Sequence, residues 1–157
     1  MIQSPITFRR ATHADADEVA EVFLTSHKAF LPYAPFAHTD DEVRHYIGDI
    51  LIPHTQVTVP VLDGRIVGLM ALKREDGLGW VEQLYIHPDA VGQGLGSQLI
   101  EQAKSSLGPP IRLWTFQQNS GARRFYQRHG FRIVTFTDGA TNEQRCPDVL
   151  FEWEDER

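Results

Sequence analysis

The sequence is poor in cysteine and in positive charge. Cys146 is the only cysteine among 157 residues, which excludes an intramolecular disulfide and a cysteine-rich zinc site. The 15 Lys and Arg residues stand against 21 Asp and Glu residues, so the net charge is −6. Nucleic acids and anionic lipids are bound through clustered cations, and this balance therefore argues against both as main partners.

Long apolar runs and metal-ligand patterns are also missing. No uncharged apolar stretch reaches the length of about 18 residues that a transmembrane helix needs. Arg9 and Arg10 run into a polar stretch instead of a secretory apolar region, so we expect a cytoplasmic protein with no membrane partner. The seven histidines show no i, i+4 pairing and no repeated carboxylate spacing, and we expect no metal site.

The length suits a single domain over residues 1–157, because no linker or repeat divides the chain. Asp63-Gly64 separates two apolar segments, 56–62 and 65–72, and predicts a hairpin with a type I′ turn. A third strand follows over 79–86. Further predicted strands are 6–9, 111–116, 131–137 and 149–153. Four helices are also predicted: one over 15–24 with Thr12 as its N-cap, one over 39–50, one that begins within 92–96, and one over 119–129 with Asn119 as its N-cap. Hairpins followed by alternating strands and helices predict a mixed α/β sheet.

The segment Gly92-Gln93-Gly94-Leu95-Gly96-Ser97 lies between a predicted strand and an amphipathic helix. Glycines allow positive φ and close approach of the backbone, and the first N–H groups of a helix lack partners, so the segment predicts a cradle for a pyrophosphate. A tight turn with a glycine-rich cap is the alternative. A P-loop would need a lysine before Ser97, and a dinucleotide fingerprint would need G-x-G-x-x-G in the first βα unit, so both are disfavoured.

Two segments in this order and at this separation resemble the GCN5-related N-acetyltransferase (GNAT) superfamily. They are VEQLYIHPDAVGQGLGSQLI, residues 81–100, and NSGARRFYQRHGF, residues 119–131. The resemblance in element order extends from Ile6 to Trp153. It implies a single-domain α/β (α+β) GNAT fold, with a mixed, mostly antiparallel sheet of about six or seven strands and about four helices. It also implies acetyl-CoA as acyl donor, bound in the cleft of a splayed parallel strand pair.

The resemblance assigns cofactor-binding positions along the first of these segments and at the start of the second. They are the strand backbone of Leu84, Tyr85 and Ile86, the loop of Val91, Gly92, Gln93, Gly94, Leu95, Gly96 and Ser97, and the side chain of Asn119. A backbone N–H here, such as that of Leu84, would polarise the thioester carbonyl. Val91 departs from the family, which usually has Arg or Gln at this position. The backbone N–H of Val91 can still donate to the pyrophosphate, but the valine side chain cannot. Gln93 could replace part of this lost side-chain contact.

The resemblance also assigns an acid and a base. Glu82 is similar in position to the family's general base. The alternative is that Glu82 is a solvated carboxylate on a face of the sheet, with no catalytic role. His87 is a substitute candidate for the base. Tyr126 resembles the tyrosine that protonates the departing CoA sulfur, and the alternative for Tyr126 is packing in the core.

The acceptor is expected to be a primary amine. Its candidate wall is the aromatic segment of Phe30, Tyr33, Phe36 and His38, with Trp80 and Trp114 on the two strands around the cleft; core packing is the alternative for each aromatic. Glu143 or Asp148 could hold a cationic amine. We expect direct acetyl transfer to a small-molecule amine by a monomer or homodimer, and the alternatives are a protein or peptide N-acetyltransferase and a non-catalytic CoA-binding regulatory module.

Overall fold

The computed structural model describes residues 5–34 and 37–154, so Phe36 lies outside the described residues. Strand β1, Thr7–Arg10, leads through a 3-10 turn, His13–Asp15, into helix α1, Ala16–Phe30. Thr12 caps this turn and not the helix for which the sequence predicted it, whose N-cap is Asp15. The Thr12 N–H donates to Asp15 Oδ2 at 2.8 Å. The helix continues six residues past the predicted end, because Ser26 and His27 are also buried against the sheet.

The second helix begins where the sequence predicts. Thr39 caps α2, Asp40–His45: its hydroxyl accepts from the Glu42 N–H at 3.2 Å, and the Glu42 carboxylate accepts from the Thr39 N–H at 2.9 Å. This reciprocal pair is a capping box. The chain then continues as a π-helical segment, Tyr46–Leu51, and a last turn, Ile52–His54.

Eight strands of the described residues form one sheet in the order β1-β2-β4-β5-β6-β8-β7, with β3 paired to β2. They are, after β1, β2 Gln56–Leu62, β3 Arg65–Ile66, β4 Gly68–Glu75, β5 Leu78–Ile86, β6 Ile111–Phe116, β7 Arg132–Phe136 and β8 Asp148–Trp153. The count exceeds the expected six or seven because Val67 divides one predicted strand into β3 and β4. Asp63 and Gly64 have φ of 52° and 75°, as a type I′ turn requires.

Helices cover both faces of the sheet. Helix α3, Leu95–Leu107, and helix α4, Ser120–Arg128, pack on the face opposite to α1 and α2. The alternation along β4 separates the two cores: Leu69 and Ala71 belong to the cluster under α1, and Met70 and Leu72 belong to the cluster under α3. Within the described residues, no helix combines the length and apolarity needed to cross a bilayer.

Strands β5 and β6 are the parallel neighbours of the sheet, and they pair over a very short length. Backbone register is limited to Gly79 with Ile111 and Trp80 with Arg112. Strand β5 then bulges: Ala71 of β4 pairs with Gln83 and Leu72 pairs with Val81, which leaves Glu82 as the extra residue. A bulge bends a strand and increases its twist. From Val81 and Leu113 onward β5 and β6 no longer pair, and a cleft separates them.

Candidate active site

The cleft between β5 and β6 continues into a second cavity at the glycine-rich loop. The cleft has a volume of about 500 Å³ and is lined by 81–85 of β5 and 113–116 of β6. The second cavity, of about 590 Å³, is lined by the loop and by α4. Six residues line both cavities: Leu31, Leu84, Tyr85, Asn119, Ala122 and Tyr126. A long ligand could therefore lie along the loop and present one end to the cleft.

The loop backbone leaves this second cavity open. Gly92 and Gly94 have φ of 82° and 77°, and a Cβ added at either would meet no atom within 4 Å. Gly94 is the N-cap of α3 and supplies no side-chain cap, so the first N–H groups of the helix remain available to a ligand. Gly96 instead allows Phe125 to pack closely on α3, because a Cβ added at Gly96 would lie 3.2 Å from Phe125 Cζ.

Most of the predicted loop residues line the cavity. Gly92, Gly94, Leu95, Gly96 and Ser97 do so together with Val91, whose side chain is exposed. Gln93 is exposed and is not part of this lining. The structure therefore gives no support to Gln93 as a pyrophosphate ligand in place of the Val91 side chain.

Arg128 is a cation that the sequence analysis missed. It lines the loop cavity from the end of α4, beside Phe125, although the sequence has no Lys or Arg between Pro88 and Ile100. Helical spacing was the available signal, since Gly121, Phe125 and Arg128 recur at intervals of three and four residues and so share one face. An arginine at this position gives an anionic ligand a charged partner.

Asn119 and Tyr126 lie where the two cavities meet. The Asn119 side chain accepts a hydrogen bond from the Ala122 N–H at 3.1 Å, which confirms its predicted role as the N-cap of α4. Tyr126 is 8% exposed and packs against Phe131 and Phe151, with ring centroids 5.7 and 5.9 Å apart. Burial raises the pKa of Tyr126, so its hydroxyl keeps its proton at neutral pH.

The two candidate bases lie in different places. Glu82, the extra residue of the β5 bulge, lines the cleft and forms an ion pair with Lys73, with 3.2 Å between Oε1 and Nζ. His87 Nδ1 accepts a hydrogen bond from the Asp89 N–H at 3.0 Å and caps the turn Pro88–Ala90. Its ring lines a separate small cavity with Glu18 and does not line the cleft.

A third cavity, of about 650 Å³, lies on the other side of the cleft, between α2 and the β7–β8 connection. Gln83 and Gln144 line both this cavity and the cleft. His38 Nε2 lies 3.0 Å from Glu143 Oε2, and its Nδ1 lies 3.5 Å from Glu42 Oε2. These contacts, above all the one to Glu143, raise the pKa of His38. His38 thus joins α2 to the β7–β8 connection at the wall of this cavity.

The aromatic residues that were predicted to form one wall lie in different parts of the structure. Trp114 is 47% exposed and lines the cleft, whereas Phe30 lines the loop cavity. Tyr33 packs edge-on against Phe116, with centroids 6.3 Å apart, and its buried hydroxyl has no hydrogen-bond partner among the described residues. Trp80 lies at the paired end of β5 and β6 and is absent from the linings of the three cavities.

Asp148 lines the cleft but is already engaged by neighbours. It accepts hydrogen bonds from the Thr137 hydroxyl and, at 3.2 Å, from Asn142 Nδ2. These bonds brace the β7–β8 connection. Within the part of the chain that the structure describes, no three His, Cys, Asp or Glu residues are grouped to hold a metal ion.

Comparison with known proteins gives a consistent result. A family model described as "Acetyltransferase (GNAT) domain" matches residues 53–133. Peptidyl-lysine N-acetyltransferase YjaB of Salmonella typhimurium is 30% identical over 130 residues, which are 82% of this chain and 85% of that protein. Aminoalkylphosphonate N-acetyltransferase of the same organism is 26% identical over 138 residues, 82% and 86% of the two chains. The PaiA N-acetyltransferase of Thermoplasma acidophilum, solved in complex with coenzyme A, superposes with a TM-score of 0.77 at 20% identity, over 96% of this chain and 99% of that one.

Proposed function

The chain belongs to the GNAT family of acyltransferases, and from that premise we propose that it transfers the acetyl group of acetyl-CoA directly to a primary amine. The observation that carries the proposal is the junction of the two cavities at Tyr126. A donor held along the glycine-rich loop would present its thioester at this junction, and an amine would reach it through the β5–β6 cleft. Direct transfer needs no acyl-enzyme.

The loop cavity fits the donor in shape and in charge. Open glycine backbone at Gly92 and Gly94 would accept the pyrophosphate, and Arg128 would offset its charge. The backbone of 84–86 would pair with the amide groups of the pantetheine arm, in the manner of an added strand. The side-chain NH₂ of Asn119 would contact the same arm, because the helix cap uses the side-chain oxygen.

Three groups would perform the chemistry. Glu82, directly or through a water molecule, would take the proton from the ammonium form of the acceptor, since alkyl amines have a pKa of about 10. A backbone N–H of β5, such as that of Leu84, would stabilise the negative charge that develops on the thioester oxygen. Tyr126 would donate its proton to the departing sulfur, because a tyrosine hydroxyl is protonated at neutral pH.

We infer that the acceptor is a small cationic amine. The third cavity has apolar walls from Phe23 and Tyr46 and carries the carboxylates of Asp41, Glu42 and Glu143. The contact between His38 and Glu143 bounds this cavity on one side and favours a small acceptor over an extended chain. Peptidyl lysine is the second candidate, because the relative YjaB is named a peptidyl-lysine N-acetyltransferase. The cytoplasmic location and the monomeric or homodimeric state stay predictions.

Titration calorimetry tests donor binding. Acetyl-CoA should bind the wild-type chain with a dissociation constant well below the millimolar range, and desulfo-CoA should bind comparably because it keeps the phosphates and the pantetheine arm. Absence of heat at millimolar acetyl-CoA would overturn the proposal.

A panel of amines tests transfer and the acceptor class. Lysine amide, small diamines and a lysine-containing peptide should be compared by kcat/KM, with products measured by mass because the free Cys146 thiol would react with thiol reagents. We expect the small amines to be preferred. A preference for the peptide would replace the small-molecule acceptor with peptidyl lysine, and donor binding without transfer to any amine would indicate the CoA-binding regulatory module.

A further inference from the structure

Ser97 and His129 form a side-chain hydrogen bond at the wall of the loop cavity. Ser97 Oγ, in the first turn of α3, lies 2.9 Å from His129 Nε2, at the end of α4. The imidazole ring packs on Phe125, with centroids 4.7 Å apart. Lys104 Nζ donates to the His129 carbonyl oxygen at 2.6 Å and holds its backbone. Ring and backbone of His129 are thus both fixed.

The serine faces the cavity and the histidine lies behind it. Ser97 and Phe125 line the cavity, and His129 is absent from the lining. A serine hydroxyl has one hydrogen to donate. When His129 Nε2–H donates to Ser97 Oγ, that hydrogen is free for an acceptor in the cavity; when Nε2 accepts, the hydrogen is consumed by the histidine. The protonation of one ring nitrogen therefore decides whether Ser97 can donate to a ligand.

We propose that His129 is a positioning residue that, through Ser97, directs a hydroxyl donor at the phosphate groups of the acyl donor. The inference rests on the proposed function, because that function supplies the phosphates. His129 touches no reacting atom, so its contribution belongs to donor binding and not to acetyl transfer. The Ser97 hydroxyl would supply a polar group to the phosphates where Val91 has none.

The charges around His129 make the hydrogen bond between His129 and Ser97 depend on pH. Burial and the nearby cations Lys104 and Arg128 lower the pKa of His129, opposed by Glu101. The ring is thus neutral at pH 7 in the free protein. A bound phosphate favours the protonated ring, in which Nε2–H must donate to Ser97 Oγ. By linkage, the contribution of His129 to donor affinity increases as the pH falls toward the pKa of the ring, which lies below the ordinary histidine value.

The test uses the full chain and two ligands, CoA and S-acetylpantetheine, of which the second lacks the pyrophosphate and the 3′-phosphate. His129→Phe keeps a ring against Phe125 but removes the hydrogen bond, and Ser97→Ala removes the hydroxyl. Each should weaken CoA binding about tenfold, as loss of one hydrogen bond to a charged group predicts. The double variant should be no weaker than either single one, because both remove the same interaction. His129→Gln, which retains a donor, should recover part of the affinity.

Three measurements distinguish a positioning role of His129 in donor binding from a purely structural role. In His129→Phe, saturating kcat should stay within twofold of wild type and the KM for S-acetylpantetheine should not change. The ratio of wild-type to His129→Phe affinity for CoA should grow as the pH is lowered from 8 to 5.5. Gln98→Ala, an exposed neighbour on α3, is the control that should leave CoA binding unchanged. Equal weakening with both ligands, additive effects in the double variant, or a ratio independent of pH would overturn the inference. If wild type fails to bind CoA, the proposed function fails; if it binds and the variants bind equally, only this inference fails.

Discussion

Glu82 forms an ion pair with Lys73 across strands β5 and β4, with 3.2 Å between Oε1 and Nζ. Lys73 also holds Glu75, at 2.9 Å, and the hydrogen bonds to Glu75 and then Glu82 raise the pKa of Lys73. The lysine therefore stays charged and keeps the Glu82 side chain in one orientation. Because Glu82 is the extra residue of the bulge, its carboxylate lines the cleft.

Glu82→Gln should lower kcat by about 10²–10⁴-fold and flatten the acidic limb of the pH–rate profile, because the amide cannot accept the proton of the amine. Initial rates between pH 5 and 9 at saturating acetyl-CoA measure both effects. Glu75→Gln is the matched control, since it removes the other partner of Lys73 but lies outside the cleft lining. An acidic limb that persists in Glu82→Gln would place the base elsewhere.

Tyr126→Phe should lower kcat by about 10²–10⁴-fold, because the leaving sulfur loses its proton donor. The ring contacts with Phe131 and Phe151 are kept, so the dissociation constant of acetyl-CoA and the melting temperature should change little. Rapid-quench measurement of a single turnover isolates the transfer step. A change under threefold in that step would return Tyr126 to a packing role.

Elements with strong local signals were predicted well from the sequence. Asp63-Gly64 does form the positive-φ turn, Asn119 does cap its helix, and strand β6 has its predicted bounds. The second helix begins at its N-cap Thr39, where it was predicted to start. In each case neighbouring residues contain the whole signal. The GNAT resemblance supplied the long-range arrangement that local patterns lack.

Features that depend on tertiary contact were not predicted. The position of the bulge at Glu82 is defined only by the register of β5 against β4, and Arg128 reaches the loop cavity only because α4 packs closely on Gly96. Phe30 was grouped with Tyr33 by sequence proximity, but the long α1 carries it to the loop cavity instead. Separation in sequence says little about which cavity a side chain will line.

Gly94→Ala should weaken acetyl-CoA binding beyond its effect on stability. A Cβ at φ of 77° costs about 1–2 kcal/mol of free energy of unfolding, and it would also project where the loop backbone approaches a pyrophosphate. Gly77→Ala, in the β4–β5 turn with φ of 80° and equally open surroundings, is the matched control. Denaturant unfolding and calorimetry should show similar destabilisation in both variants but weaker binding in Gly94→Ala alone. Equal binding in the two would argue against contact between this loop and the phosphates.

Asp15→Asn should destabilise the protein at neutral pH and not in acid. Hydrogen bonds from Arg9, at 2.8 and 3.0 Å, are the main cause that lowers the pKa of Asp15 from 3.8 to about 2. A carboxylate with a lowered folded-state pKa stabilises the fold above pH 4, and the effect disappears as the pH falls from 4 to 2. We expect a loss of about 1–2 kcal/mol at pH 7, after allowance for solvent screening.

Urea unfolding at pH 7, 4 and 2.5 measures this dependence. Asp17→Asn is the control, because Asp17 is almost fully exposed and lies 3.8 Å from Arg44, so its removal should change little. A constant difference between Asp15→Asn and wild type across this pH range would contradict the assignment to the Arg9 contact.

The early end of pairing between β5 and β6 gives this sheet an internal edge. From Val81 and Leu113 onward, the facing sides of the two strands share no backbone ladder, although neither strand is at the margin of the sheet. Edge strands elsewhere invite pairing with other chains, but this one opens into the cleft between β5 and β6. A donor that completes the missing ladder would bind the folded chain alone, and at 100 times its dissociation constant it would add about 2.7 kcal/mol to the free energy of unfolding. The stability of the protein would then follow the supply of its own substrate.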